Sequence, residues 1–153
     1  MMKPATDVIR CLAGKTLCTA ESCTGGMIGA ALTAVPGASK VYKGGIISYW
    51  SEVKQNLLNV DAEDLKNLGP VSMQVAASMA EGARKALHAD IGISVTGLAG
   101  PDGDEFGRPV GTVFVGFDNG AKTVVKQHHF FGDRDAVRRQ AAEAALKLIL
   151  EYA

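Results

Sequence analysis

The stretch TLCTAESCTGGMIGAALT, residues 16–33, decides the reading of the fold. Thr16 to Ala20 is a short β-prone run, AESCTGG follows without a spacer, and Met27 to Thr33 reads as a helix of small residues. The order is strand, tight loop, helix. On the N-terminal side, Val8, Ile9 and Leu12 recur at helical spacing, so a first helix is expected over about Thr6 to Ala13, with Thr6 or Asp7 as cap and Gly14 as stop. On the C-terminal side, Pro36-Gly37 breaks the pattern, and Gly44 to Tyr49 has the β-branched and aromatic content of a buried strand. Ser51 is the expected cap of a helix reaching about Asn59. An acidic first turn at Asp61 to Asp64 opens the next helix, and Gly69-Pro70 separates that from a long helix ending near Ala86. Asp90 to Val95 is a third apolar strand. Val110 to Phe117 and Lys122 to Phe130 flank Asn119-Gly120, a two-residue hairpin signal, and Asp133 begins a helix with Val137, Ala141, Ala144, Ala145, Leu148 and Ile149 on one face. Helices alternating with about five strands predict an α/β chain: one domain over residues 1–153, a three-layer α/β/α sandwich on a mixed, mostly parallel sheet. In such sheets ligands collect beyond the carboxyl ends of parallel strands, which places Ala20–Gly26, Tyr49–Lys54 and Thr96–Arg108 on one rim.

Composition narrows the function. Sixteen basic residues balance sixteen acidic ones, so the basic surface that nucleic acid demands is missing. No apolar run approaches the roughly 20 residues of a membrane span, and the N-terminus lacks the apolar core of a secretory signal, so a cytoplasmic protein is expected. Cys11, Cys18 and Cys23 form no CxxC pair and have no neighbouring histidine, which favours reduced thiols over a zinc site. Glycine, at 18 residues, gathers at 25–26, at 44–45 and between 97 and 111, marking backbone that turns sharply or lets something approach.

These loops carry the candidate chemistry. Ser22, directly after a strand and before a glycine pair at a helix start, is placed to act as a nucleophile with helix amides facing a developing oxyanion; otherwise it is simply a cap. Cys23 is its competitor. His88, His128 and His129 lie in a helix and a hairpin strand, so a Ser-His-Asp triad has no evident base. Lys54, desolvated in the crevice, can supply one as a neutral amine, and Tyr49 can relay its proton or orient it; the plain alternatives are a solvated lysine and a strand-end aromatic. The loop from Thr96 through Gly97 and Gly100 to Arg108 is rich enough in glycine to form an anion nest, or else it is a turn around Pro101-Asp102-Gly103. Its Asp102, Asp104 and Glu105 read as solvated, and no metal is expected. Arg134 and Arg138, four apart on one helix face, can receive a phosphate or carboxylate; the alternative is a surface cluster of Asp135, Arg138 and Arg139.

Five segments, AESCTGG (20–26), SYWSEVKQNLLNV (48–60), VTGLAGPDG (95–103), RPVGTVFVGF (108–117) and FFGDRDAVRRQAA (130–142), resemble in the same order the CinA C-terminal domain family. That family's characterised activity is nicotinamide-nucleotide amidohydrolase. The resemblance implies cofactor- and metal-independent hydrolysis of the carboxamide of nicotinamide mononucleotide to nicotinic acid mononucleotide and ammonia, a salvage step towards NAD. The family's catalytic serine, tyrosine and lysine fall on Ser22, Tyr49 and Lys54. Amides around Cys23, Thr24, Gly25 and Gly26 would hold the oxyanion, while Thr96, Gly97, Gly100, Arg134 and Arg138 would meet the nucleotide substrate. The resemblance also implies a homodimer or higher homo-oligomer. Many relatives carry a second, N-terminal domain resembling molybdopterin-binding proteins. This chain starts just before the first helix of the matching domain, so the stand-alone form is expected, without the pyrophosphatase activity associated with that domain. Three rival readings are a non-catalytic pyridine-nucleotide sensor, a competence-related interaction module and an enzyme for another pyridine amide.

Overall fold

All five residues of strand β1 (Leu17–Glu21) are buried, because it has hydrogen-bonded neighbours on both sides and helices over both faces. Its neighbours β2 (Tyr42–Ile47) and β3 (Ile91–Gly97) run parallel to it. β4 (Thr112–Asp118) pairs antiparallel with β3, and β5 (Thr123–His129) antiparallel with β4, giving the order β2-β1-β3-β4-β5. Three strands of the mixed sheet are therefore parallel, followed by an antiparallel hairpin. The computed structural model describes residues 2–153, and every statement here concerns those residues.

Helices cover both faces. On one lie α1 (Lys3–Cys11), α2 (Met27–Thr33) and α6 (Arg134–Tyr152), which bury Val8, Ile28, Leu32, Val137 and Ala141 against Leu17, Ile93, Val95 and Val115. On the other lie α3 (Ser51–Leu58) and α5 (Met73–Ala86), with α4 (Ala62–Leu68) beside α5; here Leu58, Val75 and Met79 pack on Cys18 and Ala20. Alternate strand residues thus serve opposite layers, as the two-residue period of a strand requires. The connection leaving β1 passes through α2 on one face, whereas that leaving β2 passes through α3 on the other. In the order β2-β1-β3 the strand order reverses at β1, so β1 and β3 form the switch point, and the loops after β1, β2 and β3 share the rim at the carboxyl ends of the parallel strands.

Several boundaries differ from expectation for local physical reasons. α1 begins at Lys3, with Pro4 in its first turn, where a missing N–H costs nothing, and neither Thr6 nor Asp7 caps it. Ser51 lies inside α3, and Trp50 occupies the N-cap position, its carbonyl accepting from the amides of Val53 and Lys54. β2 starts at Tyr42 and ends at Ile47. The Ser48 amide still donates to Glu21 O at 2.8 Å, but the Ser48 carbonyl leaves the ladder for a side chain described below. The hairpin turn has four residues, Asn119–Lys122, because Asn119 Oδ1 accepts from the amides of both Ala121 and Lys122. Asp133 caps α6 as expected, accepting from Ala136 N at 2.9 Å.

The position of α3 depends on a glycine. A Cβ on Gly82 of α5 would overlap the main-chain carbonyl of Leu58, the last residue of α3. Replacing an exposed helical glycine with alanine ordinarily gains up to about 1 kcal/mol. Gly82→Ala is expected instead to lose about 1–3 kcal/mol, since α3 has to move outward. Urea unfolding checks this, and a midpoint at or above that of the wild type would contradict the close packing.

Candidate active site

Ser22 follows β1 immediately, and its amide extends the ladder to Val95 O at 3.0 Å. Its hydroxyl meets Lys54, which projects inward from α3 and is only 1% exposed. Lys54 Nζ lies 2.9 Å from Ser22 Oγ, 2.7 Å from Ser48 O and 3.1 Å from Tyr49 O. None of the six ion pairs among the described residues includes Lys54. Burial lowers its pKa from 10.5 to about 8. The geometry complements that shift. As an ammonium, Nζ donates to all three oxygens; a neutral amine has two N–H bonds for the two carbonyls and one lone pair free to accept the proton of the Ser22 hydroxyl.

Cys23, the competing nucleophile, is 5% exposed, and burial raises its thiol pKa to about 11, so it remains a protonated thiol at neutral pH. The histidines lie elsewhere. His88 follows α5, His128 stacks on Phe130, and His129 Nε2 approaches Val110 O at 3.1 Å.

One carboxylate passed over in the sequence organises the whole loop. Glu21, 2% exposed, accepts from Thr24 Oγ1 (2.7 Å) and Ile28 N (2.9 Å) on one oxygen and from Gly29 N (3.0 Å) on the other. The Ile28 and Gly29 amides in the first turn of α2 are therefore occupied by this side chain. Within the loop, the Gly25 amide donates to Ser22 O and the Met27 amide to Thr24 O, which leaves the amides of Cys23, Thr24 and Gly26 without main-chain acceptors. Gly25 and Gly26 both take positive φ, +58° and +106°, which allows the turn. A carboxylate ending a buried strand just before a helix start was the available sequence signal for Glu21.

Arg134 and Arg138 stand on the α6 face that meets these loops. Arg138 Nε donates to Cys23 O at 2.9 Å and its Nη2 to Thr24 O at 3.2 Å. Arg134 Nη1 donates to Gly100 O at 2.6 Å and its Nη2 to the Tyr49 hydroxyl at 2.9 Å. The expected surface cluster is reduced to the Asp135–Arg139 pair. Tyr49 thus reaches Lys54 through its carbonyl and Arg134 through its phenol, with the side chain 54% exposed at the mouth. Thr96 is buried, its hydroxyl donating to Pro70 O, while Gly97 ends β3 against Val113. Of the loop's acidic residues, Asp104 accepts from the amides of Phe106 and Arg108. Among the described residues no three His, Cys, Asp or Glu side chains converge as metal ligands, and no helix is long and apolar enough to cross a membrane.

Comparison with known proteins gives a consistent picture. The CinA C-terminal domain profile matches residues 4–153. A CinA-like protein of Sulfurihydrogenibium sp. is 46% identical over 138 residues, covering 90% of this chain and 34% of that protein. One from Syntrophomonas wolfei is 42% identical over 147 residues, covering 95% and 35%. The chain thus spans about a third of the length of these curated relatives. Among solved structures, a competence-damaged protein (CinA) superfamily protein from Escherichia coli superposes with a TM-score of 0.96 at 34% identity, covering 99% of this chain and 90% of that one. A competence/damage inducible protein from Agrobacterium tumefaciens gives 0.94 at 32%, covering 98% and 93%.

Removing Glu21 tests its part in the loop. Glu21→Ala strands one hydroxyl and two amides in the interior and is expected to cost about 3 kcal/mol or more in urea unfolding, with Glu21→Gln intermediate. An unchanged midpoint would show that the loop holds itself.

Proposed function

The chain belongs to the CinA C-terminal domain family, and from that premise we propose that its Ser22–Lys54 pair hydrolyses the carboxamide of nicotinamide mononucleotide to the carboxylate and ammonia. The observation that carries this reading is the buried amine without a counter-ion, held by two carbonyls and directed at a serine hydroxyl. Neutral Lys54 takes the proton of Ser22, whose oxygen attacks the carboxamide carbon. The resulting oxyanion is received by loop amides. Arg138 fixes Cys23 O, and because a trans peptide points its N–H opposite to its carbonyl, the Thr24 N–H is directed away from α6 and is the leading donor, with Cys23 N–H beside it. Lys54 then gives its proton to the departing nitrogen. Ammonia leaves, and an ester on Ser22 remains. Water reverses the sequence, giving a proton to Lys54 and its oxygen to the acyl carbon as Ser22 is released.

Tyr49 belongs to this reading as an anchor of the amine through its carbonyl, its exposed phenol held by Arg134. Arg134, bonded to Gly100 O and the Tyr49 hydroxyl, keeps further N–H groups for a substrate phosphate. Removing the phosphate from the substrate is then expected to lower kcat/KM, because binding energy realised at the anion site is lost.

The deciding experiment is ammonia release from nicotinamide mononucleotide by the purified protein with a chelator present. Ser22→Ala and Lys54→Ala are each expected to lose roughly a thousandfold or more while staying folded. The rate is expected to rise with pH around a midpoint near 8, the value burial imposes on Lys54, because the competent form is the neutral amine; at pH 6 it falls about a hundredfold below the plateau. A folded wild type that releases no ammonia, or a rate that falls as pH rises from 7 to 9, would sink the proposal.

A further inference from the structure

Among the described residues, Ser48 carries the only buried side-chain nitrogen or oxygen without a hydrogen-bond partner, its Oγ. The residue is fully buried, and folded proteins rarely leave such a group unsatisfied. Its place is well defined. The Ser48 amide donates to Glu21 O, and its carbonyl accepts from Lys54 Nζ. The parallel register pairs Glu21 with Ile47; extended by one residue, it sets Ser48 beside Ser22. Residues opposite one another on parallel strands leave the sheet on the same face. The two serines therefore stand side by side beneath α3, and the Lys54 amine is bonded to the side chain of one and the main chain of the other.

Acylation gives the Ser48 hydroxyl no task, since Lys54 already has its two carbonyl acceptors and the Ser22 proton. The second half of the cycle differs. Once Ser22 is esterified, the lone pair of Lys54 has lost its donor, and the incoming water must be oriented by two groups to attack correctly. The other hydroxyls each have a partner: Thr24 donates to Glu21, Thr96 donates to Pro70 O and Tyr49 accepts from Arg134, whereas Ser48 Oγ has none. Resting on the acyl-enzyme reading above, we propose that Ser48 is a further catalytic residue, whose Oγ accepts one O–H of the hydrolytic water while Lys54 accepts the other. The water oxygen bonds to the acyl carbon, the carbon–Oγ bond of Ser22 breaks, and the proton held by Lys54 passes to Ser22 Oγ, so that ester and water become acid and free serine. Ser48 thus serves deacylation.

The test separates the two half-reactions. The full chain is treated with p-nitrophenyl acetate and, in parallel, with nicotinamide mononucleotide. Phenolate or ammonia release reports acylation, and intact-protein mass spectrometry follows the lifetime of the acyl group on Ser22. Ser48→Ala is expected to acylate within about twofold of the wild-type rate but to hold its acyl group at least about tenfold longer, producing a stoichiometric burst. Ser48→Thr, which keeps a hydroxyl, is expected to restore turnover. The Ser48→Ala melting temperature should not fall, because an unsatisfied group is removed and the carbonyl that holds Lys54 remains. An unchanged acyl lifetime in Ser48→Ala overturns the inference, as does a parallel slowing of both steps, the mark of a structural role. Failure of both reagents to acylate wild-type Ser22 also overturns it. A wild type that turns over the ester through Ser22 but releases no ammonia from the nucleotide sinks the substrate reading alone, and Ser48 is then judged on the acetyl-enzyme lifetime.

Discussion

The arrangement depends on burying a lysine amine with no acid beside it. Such a group is tolerated only if its N–H bonds find acceptors and its charge is easily given up. Lys54 meets both conditions with main-chain carbonyls, which supply dipoles without a counter-charge and so do not restore the pKa that burial lowers. Had a carboxylate taken the place of either carbonyl, the pair would have been more comfortable and the amine permanently charged. The absence of an ion pair at Lys54 is thus the feature on which the proposed chemistry rests.

Much of the surrounding structure can be understood as meeting that requirement. β2 stops at Ile47 because the next two carbonyls are turned towards the amine rather than along the sheet. α3 lies close enough to deliver the side chain because α5 presents Gly82 to its last turn. On the far side of Ser22, Glu21 collects the amides of α2 and the hydroxyl of Thr24, and Arg138 grips the carbonyls of Cys23 and Thr24. Ser22 is held by the sheet below, and its loop by a carboxylate on one side and a guanidinium from α6, all short connections to regular elements.

The layer order, the five strands and the rim were legible in the sequence because strand period, helix period and glycine clusters are local signals. Ser22 and Lys54 could be singled out by position at strand ends, and their contact follows from the crossover connecting β2 to α3. What stayed hidden depends on which group each side chain bonds or packs against, whether near in sequence or far. Thr6 and Asp7 look like caps, but packing of Ala5 and Val8 starts α1 earlier. Asn119-Gly120 looks like a two-residue turn, until the Asn119 side chain takes up the two following amides. Glu21 ends a buried strand just before a helix start, which is its one local signal; that three donors from residues 24–29 close on it depends on the turn made by Gly25 and Gly26. Arg134 and Arg138 read from the sequence as groups that could receive an anion; not legible was that each also spends donors on backbone carbonyls of loops more than 30 residues away in sequence.

α6 adds a mechanical aspect. Its 19 residues make a rod of about 28 Å. The first turns hold the loops carrying Cys23, Thr24 and Gly100, and the last turn places Tyr152 on Phe117 and Glu151 on Lys126 at the opposite end of the sheet. A load applied at the last residue is therefore taken up first where Tyr152 and Glu151 are fastened to β4 and β5, and the same anchors that end the helix shield the loop of Ser22 at its far end from a pull at the C-terminus.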